Sequence, residues 1–552
     1  MKIVKVEAIP VRKVEQIKNL QCDYIIKNGW VIDGTGNPKY LADVCIKDDQ
    51  IVEVDRSCSH SGKQVINAKG KIVCPGFVDC HSHTDSTIML NPKAESTIFQ
   101  GITTEVVGNC GGSEAPITAE AISLGHGGSG FAIGDPTPCT FAEYLEHIEK
   151  MGTSNNMAWL VGHNSIRYGA GITGEVPSKE QLEKMRILLE EALGAGAIGF
   201  STGLEFEPGR ICKTEEIAFL LQTVKKYDGI HTSHIRNRAN HVYEALDEFL
   251  SLIRGCGVRG EVSHMNIRYN TGAPENAFEN CVDKIEKARS DGFDILADMT
   301  PLNYGIGGAA AILPTWFKQM DKADALSLLS TEQGREKIRN DTDRYWRFIY
   351  NGEWERVRVQ NNVAYPEANG KSFPELAEMW KKSPWDCYFD IIQRTLELDK
   401  RIGKIVLIAR LFTDEHLKET ISHPLYSLAV DGYSTTIREP LAGKTAFPLH
   451  YMGMAHFIAH HVREIHTLTL EDAIRKMTSM PANHFGIRQR GLLKDGYFAD
   501  VVVFDYSKLK TLSTFEKPAV YTKGVEHVFV NGMYTLKDSV HTGARGGRTI
   551  RR

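Results

Sequence analysis

Between Tyr24 and Val73 apolar and polar positions alternate with the two-residue period of strands. Ile25-Ile26, Val31-Ile32, Asp43-Val44-Cys45-Ile46 and Gln50-Ile51-Val52-Glu53-Val54 read as short strands. Asn28-Gly29, Asp33-Gly34 and Gly36-Asn37-Pro38 read as the turns between them. The pattern returns at the other end, in Ala499-Asp500-Val501-Val502-Val503-Phe504 and His527-Val528-Phe529-Val530-Asn531-Gly532. Two β fragments at opposite ends of a chain can complete one domain, because termini often lie close together.

The middle alternates differently. Gly101-Ile102-Thr103-Thr104-Glu105-Val106-Val107 is a β run, and Ser178 with Gln181 forms a capping box that opens a helix through Leu193. Ala197-Ile198-Gly199-Phe200 follows as a strand. A helix from about His241 to Arg254 leads to a strand ending near Ser263, and one from Glu279 to Ser290 leads to Phe293-Asp294-Ile295-Leu296-Ala297. Such βα alternation implies a parallel sheet, open or closed, and in a closed barrel the chemistry sits at the C-terminal ends of the strands. A polar, aromatic stretch from about Asn303 to Pro374, with Trp316, Tyr345-Trp346, Trp354 and Tyr365, is too long for a βα loop. It reads either as a lid over a site or as a peripheral helical excursion. The Arg- and Gly-rich end, Gly543 to Arg552, reads as a basic arm or as a poorly ordered terminus.

The expected architecture is an α/β protein. The βα alternation over 75–485, with an insertion at about 303–374, joins a small β domain built from 1–74 and 486–552. The chain's 552 residues leave room for that arrangement. With 65 Lys plus Arg against 69 Asp plus Glu, it offers no global attraction for nucleic acid. No apolar run is long enough to suggest a membrane span, and Met1 to Glu15 shows no secretory pattern. Eleven scattered cysteines, an odd number, argue for free thiols and a reducing, cytoplasmic setting. Oligomeric state is not readable.

The densest chemistry is Pro75-Gly76-Phe77-Val78-Asp79-Cys80-His81-Ser82-His83-Thr84-Asp85, an apolar strand ending in His-x-His. Residues two apart on a strand face the same way, so His81 and His83 can address one metal ion, with Asp85 close enough to ligate or support them. Cys110, just after another β run and flanked by Gly108, Gly111 and Gly112, could bind zinc as a thiolate. A lone cysteine is more often an inert core residue. His234, His264 and Asp431 each follow an apolar run, and each alone is weak. In order, at the predicted strand ends of one barrel, the six make a ligand set for one or two divalent metals with a general base.

This ordered set resembles the amidohydrolase superfamily and, within it, the D-aminoacylases, or N-acyl-D-amino-acid deacylases. The resemblance covers nearly the whole chain after the first twenty residues. Asp33-Gly34-Thr35-Gly36 and Pro75-Gly76-Phe77-Val78-Asp79 before His81-Ser82-His83 carry the superfamily part. Gly101-Ile102-Thr103-Thr104, Gly108-Asn109-Cys110-Gly111 and Ser201-Thr202-Gly203-Leu204-Glu205-Phe206-Glu207-Pro208-Gly209 carry the deacylase part. Arg490-Gly491, Gly496-Tyr497-Phe498-Ala499-Asp500-Val501 and Val530-Asn531-Gly532 match as well. The resemblance implies a TIM-like (β/α)8 barrel with a small β-sandwich domain built from both termini, and a zinc-dependent hydrolase of a linear amide C–N bond. Cys110, His234 and His264 would hold a tight zinc; His81, His83 and Asp431 would form a weaker second site, with Asp431 also the general base. Cyclic-amide hydrolases of the hydantoinase and dihydroorotase type bridge their metals with a lysine, and Ala197 to Glu207 contains none.

The chain departs from the deacylases where they bind the substrate carboxylate. Asn266 stands at the family's Lys, Thr300 at a Tyr, and Pro440 at an Arg, with Arg438 two residues away. Arg236, Arg238 and Arg268 could meet an anion from another side. Arg236, Asn266, Thr300 and Arg438 are therefore the candidate substrate-binding residues. The expectation is a small-molecule amide substrate unlike the standard N-acyl-D-amino acids. The alternatives are a cyclic amide or imide hydrolase, and a non-catalytic barrel serving assembly, which would not need all six ligands.

Overall fold

The computed structural model describes residues 20–126, 136–342, 349, 352–400, 402, 405–444 and 447–552. Met1 to Glu15 and the Tyr345-Trp346 pair lie outside the described residues.

Eight parallel strands run in sequence order around a barrel: β1 (Phe77–Asp79), β2 (Ile102–Val107), β3 (Asn156–Gly162), β4 (Gly199–Gly203), β5 (Ile230–His234), β6 (Arg259–Val262), β7 (Ile295–Met299) and β8 (Tyr426–Leu428). The ring is drawn together at its C-terminal end, where the Asp431 amide donates to the His81 carbonyl at 2.9 Å and the His83 amide to Gly432 at 2.6 Å. Every residue of β2, β3, β4 and β5 is buried, as expected where a parallel strand is covered on both faces. Gly199 allows β4 and β5 to approach; a Cβ there would lie 2.2 Å from the Ile230 carbonyl oxygen.

The helix after β3, Lys179–Gly194, starts with the expected capping box, each of Ser178 and Gln181 bonding the other's backbone. The next two expected helices are Val242–Cys256 and Ala277–Ser290. β4 begins at Gly199, two residues later than the apolar run suggested; the Ala197 amide still bonds back to Ala192 of the helix, while Ile198 already bonds Trp159 and Ile230 on the neighbouring strands.

The two ends of the chain share one nine-stranded sheet. Val501–Phe504 pairs antiparallel with Ile72–Pro75, linking the C-terminal strands to the N-terminal ones. Ile26, Val44 and Ile46 from one half pack with Val501, Val503 and Phe529 from the other. Asn28-Gly29 is not a turn. It sits inside a single strand, Gln21–Val31, as a register shift against its neighbour, with Asn28 at φ 63°. Such a bulge uses the same turn-prone residues without ending the strand.

Cys45 and Cys58 are joined as a disulfide, which corrects the expectation of free thiols for this pair; the remaining nine cysteines are free. The Arg-rich end is neither a free arm nor a loose tail. Thr549–Ile550 adds a short parallel strand beside β3, and Arg548, Arg551 and Arg552 pair with Asp49, Glu149 and Asp228.

The insertion between β7 and β8 extends further than the aromatic stretch suggested. Tyr304–Gly308, Val357–Asn361 and Val406–Arg410 form a three-stranded antiparallel sheet that closes only with its last strand. Its own core includes Phe317, Trp354, Phe373, Tyr388 and Phe412. Among the described residues, no helix is long and apolar enough to cross a membrane.

Candidate metal centre and substrate cavity

The six candidate ligands leave the barrel at its C-terminal end: His81 and His83 just after β1, Cys110 after β2, His234 at the end of β5, His264 after β6 and Asp431 after β8. Three have left-handed backbones, with Cys110 at φ 53°, His264 at 34° and Asp431 at 55°. That conformation is unfavourable for residues with a side chain and is concentrated at functional sites. It turns each strand end sharply, so the side chain faces the barrel axis. Glycine makes room beside Cys110: a Cβ on Gly203 would lie 1.9 Å from the Cys110 carbonyl oxygen.

The donor atoms converge. Cys110 Sγ lies 3.3 Å from His81 Nε2, 3.2 Å from His264 Nε2 and 3.6 Å from His234 Nδ1. Zinc bonds of about 2.0–2.3 Å at tetrahedral angles put neighbouring donors about 3.5 Å apart, so the set fits zinc. Asp431 Oδ1 lies 3.2 Å from His83 Nε2 and 3.6 Å from His81 Nε2. Three overlapping donor triplets result: Cys110 with His234 and His264, Cys110 with His81 and His83, and Asp431 with His81 and His264.

Electrostatics support the same arrangement. Burial pushes the Cys110 thiol up, but His264 and His81 outweigh it and hold it well below its ordinary value, favouring thiolate. Burial and Arg238 bring His264 down to about 4, which keeps the imidazole neutral, the form that can bind a metal. Burial also works against the Asp431 carboxylate, yet His264, His81 and His83 lower it to about 2.

Buried carboxylates hold the histidines in place. Asp298 Oδ2 lies 3.3 Å from His81 Nδ1, and its Oδ1 accepts the His264 amide at 2.8 Å. Glu205 Oε2 lies 2.6 Å from His234 Nε2, leaving Nδ1 toward Cys110. The same Glu205 takes Arg268 in a two-point ion pair, at 2.7 Å on both oxygens. Burial opposes this carboxylate, but Arg268 and His234 hold it well below the usual range. The sequence offered Glu205 only within the Ser201–Gly209 motif and Arg268 only as a possible anion contact; the pairing of the two, and the support Glu205 gives His234, were not read from it. Asp85 lies apart from the converging donors. It faces a neighbouring cavity of about 280 Å³ that also touches His83, and burial raises it to about 6.

A cavity of about 330 Å³ opens over the donors, lined by Cys110, His83, His234, His264 and Asp431. The insertion roofs it through Tyr304, Gly305, Ile306, Gly307, Leu411 and Phe412. Of the candidate substrate-binding residues, Thr300 lines this cavity. Asn266 is fully buried and tied to Thr300, accepting its amide at 3.0 Å and donating to its carbonyl at 3.3 Å. Arg236 turns away, to Glu248 at 2.7 Å and the Arg210 and Cys212 carbonyls at 3.0 and 2.8 Å. Arg438 is exposed and outside the lining. Arg238 and Arg268 line the cavity instead.

A model of the amidohydrolase family matches residues 64–300 and 374–535, leaving unmatched only the part of the insertion between them and the two ends. An N-acyl-D-glutamate deacylase of Alcaligenes xylosoxydans xylosoxydans is 30% identical over 539 residues, covering 96% of each chain. The crystal structure of an N-acyl-D-glutamate deacylase from Bordetella bronchiseptica, complexed with zinc and a phosphonate that mimics the tetrahedral intermediate, superposes with a TM-score of 0.78. It is 27% identical, over 97% of this chain and 100% of that one. A D-aminoacylase solved in work on its binuclear metal centre, with one-metal activation and second-metal attenuation, also gives a TM-score of 0.78, at 27% identity over 96% of this chain and 100% of that one.

Proposed function

This chain belongs to the amidohydrolase family, and from that premise we propose that it is a zinc-dependent hydrolase of a linear amide bond, of the N-acyl-D-amino-acid deacylase type. The observation that carries the reading is the convergence of a thiol and three imidazoles within 3.6 Å of one sulfur, beside an ionised carboxylate. In this reading Cys110, His234 and His264 would hold the tight zinc, and His81, His83 and Asp431 the weaker second metal.

Zinc held there supplies Lewis acidity, acidifying water to a pKa of about 7 and polarising a carbonyl. The chain does the rest. Asp431, at the cavity wall and ionised at neutral pH, takes a proton from the attacking water at its carboxylate and returns it to the leaving amine nitrogen. Asp298 and Glu205 fix the ring orientations of His81 and His234. The insertion covers the cavity and limits bulk water.

The substrate is an amide bound differently from the standard N-acyl-D-amino acids, because Asn266, Thr300 and Pro440 stand where the resemblance places Lys, Tyr and Arg. Nine of the eleven cysteines being free favours action in a reducing compartment, the cytoplasm.

The test is to assay the zinc-loaded protein on N-acetyl derivatives of both enantiomers of a broad amino-acid set, alongside hydantoin and dihydropyrimidine rings. Release of free amine from open-chain amides alone is expected. Ring opening without open-chain cleavage would replace this reading with a cyclic-amide one. Rapid turnover of standard N-acetyl-D-methionine or N-acetyl-D-leucine would remove the proposed departure in substrate.

A further inference from the structure

We propose that Arg238 is the receptor for a carboxylate on the substrate, so that the enzyme takes acyl compounds bearing a free acid group. This rests on the amide-hydrolase reading.

Arg238 follows β5 by four residues and reaches into the cavity that holds Cys110, His264 and Asp431. The residue is only 6% exposed. Among the described residues its guanidinium makes one hydrogen bond, from Nη1 to the His264 carbonyl. Its Nε is buried without a partner, and no carboxylate of the described residues lies within 4 Å of it. The comparison with the chain's other deeply buried arginines is direct. Arg167 pairs with Glu216, Arg268 with Glu205 and Arg490 with Asp500. A guanidinium taken out of water without a counter-ion is costly, so folds either pair it or keep it where a charged ligand will do so.

The surroundings narrow what that ligand is. Arg268, the other arginine of the cavity, is held by both oxygens of Glu205. Asn266 and Thr300 bond each other and carry no charge. The Arg268 amide donates to the Arg238 carbonyl at 2.8 Å, fixing the backbone behind the guanidinium. Arg238 is therefore the one arginine of the cavity, among the described residues, with no carboxylate partner. Its planar fork matches a carboxylate with two oxygens, and a cavity of about 330 Å³ suits a small acylated amino acid.

The acid group can be the α-carboxylate or a side-chain carboxylate, and the experiment separates them. N-acetylmethionine, N-acetylglutamate and their α-carboxamides are compared, in both enantiomers, on wild type, Arg238→Met and Arg238→Lys, with zinc content measured for each. KM and kcat are read separately, and binding is read by calorimetry whether or not turnover occurs. The expected result is that Arg238→Met raises KM or Kd for acid-bearing compounds about tenfold to a hundredfold, with Arg238→Lys in between and zinc content unchanged. Wild type should bind N-acetylmethionine carboxamide about as weakly as Arg238→Met binds the acid. If the glutamate α-carboxamide keeps its sensitivity to Arg238→Met, the side-chain carboxylate is the one bound; if it loses it, the α-carboxylate is.

Equal Kd for acid and carboxamide in wild type overturns the proposal, and this comparison holds even if Arg238→Met fails to fold. Equal Kd for the acid in wild type and a folded Arg238→Met overturns it as well. Acid binding that depends on Arg238 with no amide cleaved would leave the carboxylate site standing and sink the hydrolase reading instead.

Discussion

Glu205 Oε2 and His234 Nε2 lie 2.6 Å apart, and the other ring nitrogen of His234 faces Cys110 Sγ at 3.6 Å. One buried carboxylate thus fixes the tautomer of a proposed zinc ligand while neutralising Arg268. Replacing Glu205 with Gln removes the charge and keeps the shape. Support of this kind typically contributes about 10- to 100-fold in metal affinity. Zinc retention against a competing chelator should fall by that order. Arg268 would also lose this buried counter-charge, which should cost about 3–5 kcal/mol in denaturant unfolding. Unchanged zinc retention in a folded E205Q would show that His234 needs no such partner.

Cys110→Ala removes the sulfur on which the three imidazoles converge. Purified C110A should hold less than a tenth of the wild-type zinc after dialysis and show no amide cleavage, while its circular dichroism stays close to that of wild type. Full zinc occupancy in C110A would move the tight site to His81, His83 and Asp431.

A buried pair away from the cavity predicts a pH dependence of stability. His484 Nε2 lies 2.8 Å from Glu261 and Nδ1 3.4 Å from Asp294. Burial lowers the imidazole's pKa, but Glu261 outweighs it and, with Asp294, raises it to about 9. The folded value lies above the unfolded one of about 6.5, so the contribution of His484 is lost as pH rises through about 9; it needs Glu261 ionised, and burial raises Glu261 to about 7. Melting temperature should fall from pH 6.5 to pH 9.5 more steeply in wild type than in His484→Gln. Parallel curves would mean that His484 is neutral in the folded protein.

The convergence of the six candidate ligands was legible because each stands where a strand pattern stops, and strand ends are where barrel chemistry collects. His81-Ser82-His83 needs only local geometry, and Asp431 follows an apolar run of its own. The Glu205–Arg268 pair was not legible, since it joins the ends of β4 and β6, which are close only once the barrel has formed. Arg236 and Arg238 show the same limit at smaller scale. Two residues apart in sequence, one turns to Glu248 and the other into the cavity, and nothing local distinguishes them. The pairing inside the insertion was not legible, since its closing strand, Val406–Arg410, looks like any other apolar run until Tyr304–Gly308 pairs with it. The tail read as a basic arm or a poorly ordered terminus, yet Asp49, Glu149 and Asp228 take up three of its arginines.

The last prediction concerns a residue with no functional group. Gly203 ends β4, and a Cβ there would meet the Cys110 carbonyl oxygen at 1.9 Å, with the carbonyl carbon at 2.6 Å. Both atoms are backbone, so the clash cannot be relieved by rotating a side chain. Cys110 is already at φ 53°, which leaves its loop little room to adjust. Gly203→Ala should therefore push the Cys110 turn off its position and weaken zinc retention at least tenfold. The accompanying loss of stability should be about 1–3 kcal/mol, the usual cost of overpacking. Gly255→Ala is the control: it lies within the helix Val242–Cys256, and a Cβ there meets nothing within 4 Å. That change should leave zinc alone and raise stability by about 0.4–1 kcal/mol. If Gly203→Ala loses stability to the predicted extent but keeps its zinc, the Cys110 loop tolerates displacement and the metal's hold depends chiefly on the histidines.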